Sequence, residues 1–453
     1  MSVQVREAAV SVPSPVLERP RRALFPSVPR TVIALGLTSL FTDVSAEMVS
    51  TILPLYFIVY LGLSPIQFGL VDGLYQGAGA LVRVASGFLA DRMRRTKEIA
   101  FIGYAISALC KLGLLAAGGS LAITAVVVAD RTGKGLRTAP RDALISLGVP
   151  RDRLATAFGV HRALDTFGSM LGPLVAFGLL ALVPGAFDAV FVVSFCFALI
   201  GLGVLGLFVE QGRPRRRVTR PETPPSLRAA VGLLSEPCFR GLAIAGTALS
   251  LLTVSDGFMF LVLQQHLSLA NSLFPLLFVG TSLAYFALAL PVGRLADRIG
   301  RARVFLGGYA LVPVCLAALL FLPVGGPTAV LVLVLFGGYY AATDGVLMAL
   351  GSSVLPEELR ATGLGLLTTA TSSARLLSSV LFGAVWTWWG MESSLAVFAV
   401  GMVAAVAAAG FILNRTALLQ VSSAQNQKEP WLRHRGCNTC PQVSECVTQA
   451  RTR

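Results

Sequence analysis

The sequence predicts an all-α membrane protein whose twelve transmembrane helices form two pseudo-symmetric halves of six, with both termini in the cytoplasm. Three observations support this fold class. The chain of 453 residues is 55% hydrophobic and only 13% charged, whereas roughly 25% of a soluble domain is charged. Apolar runs long enough to cross a bilayer recur along the chain, and its Lys and Arg residues concentrate in alternate loops.

Twelve segments qualify as spans because each holds roughly 20 mainly apolar residues, the number needed to cross the hydrocarbon core. The first six spans are predicted at 31–61, 66–90, 99–117, 121–147, 155–182 and 187–209. The last six are predicted at 241–266, 272–293, 302–323, 328–354, 361–388 and 393–413. Gly and Pro residues lie mostly within these segments, as membrane helices tolerate.

The loop charges orient these spans. Of the 37 Lys and Arg residues, 29 fall in segments that this topology places inside, and none falls in the outside loops. Positively charged loops face the cytoplasm, so both termini are predicted to be cytoplasmic. The resulting organisation is an N-terminal tail (1–30), a six-helix bundle (31–209), a basic cytoplasmic linker (210–240), a second bundle (241–413) and a tail expected to be disordered (414–453).

One motif, Gly-x-Leu-Ala-Asp-Arg, occurs twice at a spacing of 206 residues and indicates a duplication of six helices. It follows the second and the eighth predicted spans. The two copies share Gly87, Asp91 and Arg92 in the first and Gly293, Asp297 and Arg298 in the second. Two parallel halves of this kind are typical of a large class of secondary transporters.

The doubled motif resembles the cytoplasmic-loop signature of the major facilitator superfamily (MFS), and the resemblance covers residues 31–413. The first copy departs from the family pattern at Arg94, where the family usually has Gly, and the second keeps Gly300. The segment 130–142 is similar to a poorly characterised bacterial and archaeal subgroup, which names no substrate. The resemblance implies the MFS fold and transport by alternating access.

The resemblance also implies a gating role for the two motifs. Asp91 should approach the start of the eleventh span near Ala361, and Asp297 the start of the fifth span near Ala155. A carboxylate is favoured at a helix N-terminus by the free N–H groups and the helix dipole. Both contacts would hold the cytoplasmic side shut, while Arg92 and Arg298 could add pairs between the halves or simply anchor the loops inside.

No pattern in the sequence predicts an enzyme, a cofactor or a metal site. There is no Gly-x-x-x-x-Gly-Lys-Ser/Thr loop to hold nucleotide phosphates, so a gradient is expected to drive transport. Cys437, Cys440 and Cys446 of the tail could bind zinc, but the second half of a four-ligand pattern is missing. Reduced thiols in a disordered tail are the favoured interpretation.

Asp130, Lys134, Arg137 and Arg141 share one face of the fourth predicted span, because they follow the spacing i, i+4, i+7, i+11. Two interpretations stay open. In one, the face is a cationic wall that attracts an anionic substrate, with Lys134, Arg137 and Arg141 as substrate-binding or gating charges. In the other, it is a ladder of salt bridges, with Asp130 and Lys134 paired within the helix and the arginines paired to other helices, because intramembrane charges commonly pair with one another.

Three carboxylates of the first and fifth spans are the predicted proton carriers. Asp43 and Glu47 lie one turn apart on one face. Two close carboxylates in a low-dielectric cavity cannot both ionise at low cost, so one is favoured to carry a proton. Asp165 is the third candidate, with His161 either a relay partner or a satisfied core residue. Arg131 resembles a family arginine linked to proton transfer and should modulate them; the alternative is that each acid only neutralises a cation.

The second half offers isolated polar groups that are predicted to bind substrate: Asp256 in the seventh span, Tyr340 and Asp344 in the tenth, and Arg375 in the eleventh. An ion pair of Arg375 with Asp256 or Asp344 is the favoured arrangement for the arginine, because an unpaired arginine at mid-membrane is costly. Direct contact of these groups with substrate is the alternative.

The sequence and the resemblance together predict a proton-coupled secondary active transporter of a small molecule, multi-pass in the cytoplasmic membrane and active as a monomer. Export is favoured over import, because Gly168-x-x-x-Gly172-Pro173 resembles the fifth-helix motif of family exporters that exchange drug for proton. The expected partners are the substrate, protons and the bilayer, without nucleic acid. The alternatives are an organic or phosphorylated anion transporter that uses the basic face, and a non-transporting sensor or scaffold.

Overall fold

In the computed structural model of the chain, every regular element within the described residues is helical. The structure describes residues 29–93, 96–149, 154–209, 232–323, 325–355 and 359–416. The predicted N-terminal tail up to residue 28, the linker from 210 to 231 and the C-terminal tail from 417, with its three cysteines, lie outside the described residues. The all-α fold class is confirmed for the part of the chain that is described.

Twelve α-helices follow one another along these ranges. The first six are α1 (Arg30–Leu55), which continues as a π-helical turn (Tyr56–Tyr60), α2 (Pro65–Met93), α3 (Thr96–Ala116), α4 (Ser120–Gly148), α5 (Leu154–Leu182) and α6 (Phe187–Phe208). The last six are α7 (Pro237–Leu251), α8 (Asp256–Leu267), α9 (Phe274–Ile299), α10 (Arg301–Phe321), α11 (Gly326–Val354) and α12 (Arg360–Arg415).

The helices of the second half differ from the predicted spans in two places. The seventh span, predicted as one helix over 241–266, is broken: α7 ends at Leu251 and α8 begins at Asp256. The spans predicted at 361–388 and 393–413 are joined in α12, which bends at Gly390. Gly390 has a φ of 84°, a conformation that residues with a Cβ seldom adopt, so a single glycine makes the turn.

Nine helical segments of the described chain are long and apolar enough to cross a membrane, which supports a multi-pass membrane protein. One of them, Thr362–Arg415, is 54 residues long, more than twice the roughly 20 residues that one crossing needs. α4 is not among the nine, because charged residues interrupt its apolar run. The count of twelve spans and the cytoplasmic termini stay predictions.

α1 is the central helix of the first half and packs along both α5 and α6. Small residues permit the close approach of α5. A Cβ added to Gly172 would lie 2.8 Å from the carbonyl oxygen of Val44, and one added to Gly168 would lie closer still to the carbonyl oxygen of Leu40. Close packing of this kind is the usual role of small residues four apart in membrane helices.

The two halves are sealed against each other where α2 meets α12. Gly69, Gly73 and Gly77 form a stripe on α2, and a Cβ at Gly73 would lie 2.6 Å from the carbonyl oxygen of Leu376. An aromatic cluster extends this contact and consists of Phe68, Phe258, Phe382 and Trp386. In the predicted topology, this sealed end faces the outside.

Replacing Gly73 by Val should open this sealed end, because a branched side chain does not fit against the Leu376 carbonyl. We expect faster labelling of a Phe68→Cys variant by a membrane-impermeant maleimide, in a background without native cysteines, since Phe68 is only 2% exposed. Gly178→Val is the matched control, because nothing lies within 4 Å of a Cβ there. Equal labelling in both backgrounds would show that the glycine stripe does not keep this end closed.

Candidate functional site

Charged side chains of α1, α3, α4 and α5 form a network that we name the charge ladder. It consists of Asp43, Glu47, Lys111, Asp130, Arg131, Lys134, Arg137, Arg141, Asp142 and Asp165. The Asp130 carboxylate lies between two cations, 2.8 Å from Lys111 Nζ and 2.7 Å from the Arg131 guanidinium. The Lys111 side chain is only 3% exposed, and such a buried charge is strongly destabilising without its partner.

The remaining cations of α4 contact carboxylates of α1 and α5. The nitrogen–oxygen distances are 3.5 Å for Arg137 and Asp43, 3.9 Å for Lys134 and Glu47, and 3.6 Å for Arg141 and Asp165. The first pair is deeply buried, with side chains 5% and 9% exposed, while the second is looser and partly exposed. Of the two interpretations of the basic face, this structure contains the salt-bridge ladder. The expected pair of Lys134 with Asp130 is not formed, because Lys134 contacts Glu47 of α1 and Asp130 is taken up by Lys111 and Arg131.

Two aromatic rings lie against the guanidinium groups of the ladder. The Arg131 guanidinium carbon is 3.9 Å from the centroid of the Tyr75 ring, and that of Arg137 is 4.4 Å from the Tyr104 ring. An arginine over an aromatic face gains electrostatic attraction from the ring quadrupole, and the gain is larger when both groups are desolvated. Ion pairing and ring contact together hold these two arginines inside the wall of the first half.

His161 is a satisfied core residue in this structure. Its Nε2 lies 2.9 Å from Ser39 Oγ, and its side chain is buried. The Ser39 hydroxyl also accepts a hydrogen bond from Arg141 at 3.3 Å, so the histidine is attached to the ladder and not to Asp165. Within the described chain, no group of three or more His, Cys, Asp or Glu side chains is placed to hold a metal ion.

A cavity of about 320 Å³ lies between the two halves and is lined by α5, α8, α9 and α11. It brings together four of the predicted site residues, namely Asp165, Asp256, Tyr340 and Asp344. Arg162 also lines it and lies 3.5 Å from Asp165. The lining formed by the described residues contains none of the predicted substrate-binding cations of α4.

The break between α7 and α8 places Asp256 at this cavity. Ser255 caps the start of α8, and Ser378 of α12 donates a hydrogen bond of 2.8 Å to the Thr253 carbonyl in the break. Irregular backbone at membrane depth requires such partners, because no lipid group can replace them. Asp256 stands in the first turn of α8, where the helix dipole favours a carboxylate, and it accepts a hydrogen bond from the Tyr340 hydroxyl.

The predicted ion pair of Arg375 with Asp256 or Asp344 is not formed in this conformation. Arg375 donates to the Tyr339 hydroxyl at 3.2 Å, and no carboxylate of the described chain lies within 4 Å of it. Asp256 already accepts a hydrogen bond from the Tyr340 hydroxyl. The exposed carboxylate of Asp344 has neither a hydrogen bond nor an ion pair with any described residue. A tyrosine hydroxyl therefore takes the place that the prediction gave to a carboxylate.

The structure describes the side chains of the second gating motif but not those of the first. Asp297 lies at the end of α9, 70% exposed, and contacts Arg301 of its own half at 3.4 Å. Gly293 has open space around it. Gly87, Asp91 and Arg92 of the first motif, and the start of α5 near Ala155, lie outside the residues whose side-chain surroundings are described. The two latch contacts that the resemblance implies, together with the part of Arg298 in them, stay predictions.

A hydrogen bond between the halves was not predicted from the sequence. Ser379 of α12 donates to Asp72 of α2 at 2.6 Å, beside the start of α8. Asp72 is recognisable in the sequence as an intramembrane charge, but only the packing shows its partner. The glycine stripe of α2, in contrast, carries a readable signal, since its members recur every four residues.

Comparison with known proteins identifies the relatives of this chain. A family model described as Major Facilitator Superfamily matches residues 35–274 and 254–438. An uncharacterised MFS-type transporter of Methanocaldococcus jannaschii is 29% identical over 365 residues, which cover 79% of this chain and 88% of that protein. An uncharacterised protein of Mycobacterium tuberculosis is 31% identical over 281 residues, 60% of this chain and 66% of that protein.

Solved transporter structures share the fold at low sequence identity. The crystal structure of the nucleoside transporter NupG superposes with a TM-score of 0.70 at 15% identity, covering 84% of this chain and 99% of that one. A peptide transporter POT in complex with sulfate superposes with a TM-score of 0.67 at 17% identity, covering 89% and 97%. At these identities the likeness concerns the fold and not the substrate.

The pair of Asp43 and Arg137 offers a test of the ladder. Asp43→Asn or Arg137→Gln leaves one buried charge without its partner, and breaking such a pair costs about 3–5 kcal/mol. We expect each single variant to melt at a clearly lower temperature, and the double variant to recover part of the loss through a coupling of roughly 0.5–3 kcal/mol. Thermal unfolding of the purified variants measures both effects.

The control for this cycle is Arg303→Gln, because Arg303 is exposed and donates a long hydrogen bond of 3.4 Å to the Ile299 carbonyl, so its loss should change the melting temperature little. Additive effects of the two ladder substitutions would contradict the structural role. Unchanged stability combined with lost ligand binding in Arg137→Gln would favour the cationic substrate wall instead.

Proposed function

The chain belongs to the major facilitator superfamily, which consists of transporters and not of enzymes, and on this premise we propose that it exchanges protons for a small molecule across the cytoplasmic membrane. In this proposal the protein acts as a monomer and by alternating access, and it exports its substrate. Protons that return down their gradient supply the free energy.

One observation carries the proposal: the cavity between the halves is lined by Asp165, Asp256 and Asp344, while the cations of α4 are paired within the wall. A cavity carboxylate can hold either a proton or a positively polarised group of a substrate, and not both. Such mutually exclusive occupancy is the physical requirement for exchange. Ionisable groups inside a membrane protein are costly and commonly mark substrate or proton pathways.

The conformation supports alternating access. The halves are joined through α2 and α12 at the end that the topology places outside, whereas Arg162, near the start of α5, lines the cavity with 78% of its side chain exposed. We interpret this state as open to the cytoplasm. To open outward, the halves would have to part at the glycine stripe and break the hydrogen bond of Ser379 to Asp72.

Asp165 links the charge ladder to the cavity in this proposal. Its carboxylate lies 3.6 Å from Arg141 of the ladder and 3.5 Å from Arg162, and it lines the cavity. A substrate or proton that neutralises Asp165 also removes the negative charge that compensates Arg141. Asp43, Glu47 and Arg131 belong to the ladder and do not line the cavity, so they would tune the charge at Asp165 without meeting the substrate.

The anion alternative keeps two supporting observations. A gallate transporter of Pseudomonas putida is 29% identical over 169 residues, which is 36% of each protein, and Arg162 offers an exposed guanidinium at the cavity. Asp256 and Asp344 of the same lining, which have no ion pair with a described residue, oppose an anion, because like charges in a low-dielectric site repel. A cationic or neutral substrate is therefore better supported than an anionic one.

Ligand-induced thermal stabilisation tests the proposal. The panel holds organic anions, sugar phosphates and lipophilic cations, each at pH 6 and pH 8. We expect stabilisation by cationic or neutral compounds that is larger at pH 8, because protons compete for the cavity carboxylates at pH 6. Asp344→Asn should remove this pH dependence, since its amide takes up no proton.

Lys134→Gln is the comparison variant, because Lys134 is the partly exposed cation of the α4 face. Under the proposal it leaves the selectivity of the panel unchanged. Stabilisation by anions that is lost in Lys134→Gln would contradict the proposal and establish the anion transporter in its place.

A further inference from the structure

We propose that the cavity selects an organic monocation with a flat aromatic or apolar body, and that the C-terminal wall of the cavity holds its positive charge. This inference rests on the proposed function and names the substrate class of the same site. It depends on the charges that face Asp256 and Asp344, on the aromatic rings that line the same cavity, and on the volume of the cavity.

The charges of the C-terminal wall do not cancel. Asp256 lies within electrostatic reach of Asp344, of Asp72 and of one cation, Arg375. Asp344 faces Arg375 and, from α5, Arg162. Arg162 is already paired with Asp165, and Arg375 donates to a tyrosine hydroxyl. Asp256 and Asp344, the two carboxylates of this wall, thus share one guanidinium, and a cation in the cavity would reduce the imbalance.

Aromatic rings stand beside these carboxylates. Phe260 and Phe278 pack edge to face with centroids 4.4 Å apart, and both line the cavity. Tyr340, which donates to Asp256, adds its ring, and Tyr285 and Phe286 of α9 add two more. Ring faces attract a cation within about 6 Å of the centroid, and the attraction grows when water is excluded. Carboxylates and rings together recognise an organic cation, whereas a bare metal ion has no use for the rings.

The size and polarity of the space limit the body of this cation. A volume of about 320 Å³ is at the lower end of ligand pockets, which range over roughly 300–1,000 Å³. The wall also contains Thr281, whose buried hydroxyl has no hydrogen-bond partner in the described part of the chain. Thr166, Ser169 and Ser282 add hydroxyls. A small body with one or two polar groups fits this lining better than a long or strongly polar one.

The charges on the opposite wall favour the same placement. There Asp165 is held by Arg141 and Arg162, so the α5 side is locally neutral or positive. A monocation is therefore driven toward α8 and α11. Asp344, exposed to the cavity and without a bonded partner among the described residues, is the group that the cation meets first.

Four small probes separate charge from shape in calorimetric titrations of the purified full-length protein at pH 8. Benzyltrimethylammonium carries both charge and ring, N,N-dimethylbenzamide only the ring, tetramethylammonium only the charge, and benzenesulfonate the opposite charge. We expect benzyltrimethylammonium to bind at least about tenfold tighter than each of the others, equal to about 1.4 kcal/mol. Asp344→Asn should abolish the preference over the benzamide.

Phe260→Leu and Phe278→Leu test the rings, and Phe321→Leu is the matched control, because Phe321 is 82% exposed and outside the cavity lining. We expect each cavity variant to weaken benzyltrimethylammonium about three- to tenfold, in line with a cation–ring contact, and the control to leave it unchanged. Melting temperatures within a few degrees of the parent protein establish that the variants are folded.

Several results would overturn the inference: tighter binding of benzenesulfonate, a charge preference that survives Asp344→Asn, or no binding of benzyltrimethylammonium at millimolar concentration. These outcomes are distinct from failure of the proposed function. If the cation binds selectively but equally at pH 6 and pH 8, the proposed substrate class is supported and proton exchange is contradicted. If another class of compound binds in competition with protons, proton exchange is supported and the proposed substrate class is contradicted.

Discussion

The need to pair charges inside the membrane determines how the first half of this protein is built. α4 brings six charged residues into the first half, and α1, α3 and α5 supply the carboxylates and the lysine that complete the network. Because the partners come from different helices, the ladder also sets how those helices rotate against one another. In the proposed mechanism the first half then moves as a rigid unit, and the charges left at the interface between the halves bind a substrate or a proton.

The positions of the helices could be predicted from apolar length and loop charge, because the bilayer imposes both. The face shared by Lys134, Arg137 and Arg141 could be predicted as well, since it follows from helical periodicity. Their partners could not, because the rotation of α1 and α5 depends on packing at Gly168 and Gly172. The break before Asp256 was also missed: its stability comes from a serine of α12, more than a hundred positions away.

The structure divides the predicted site into two parts with different tasks. The basic face of α4, predicted to bind substrate or to gate, is largely satisfied within its own half. Three polar groups of the second half that were predicted to bind substrate, Asp256, Tyr340 and Asp344, line the cavity. Asp344 has no bonded partner among the described residues, and Asp256 has only a tyrosine. This division explains why a chain with a cationic stripe on α4 supports the proposed site for a positive substrate.

The central claim is exchange of a proton for a substrate in one cavity, and transport into acid-loaded proteoliposomes tests it most directly. Vesicles containing the protein and a lumenal pH dye receive radiolabelled benzyltrimethylammonium outside. The account predicts cation uptake with a simultaneous rise in lumenal pH, both absent in Asp344→Asn and in protein-free vesicles. Uptake that ignores the pH gradient, or that requires an alkaline lumen and so indicates import with protons, would contradict it.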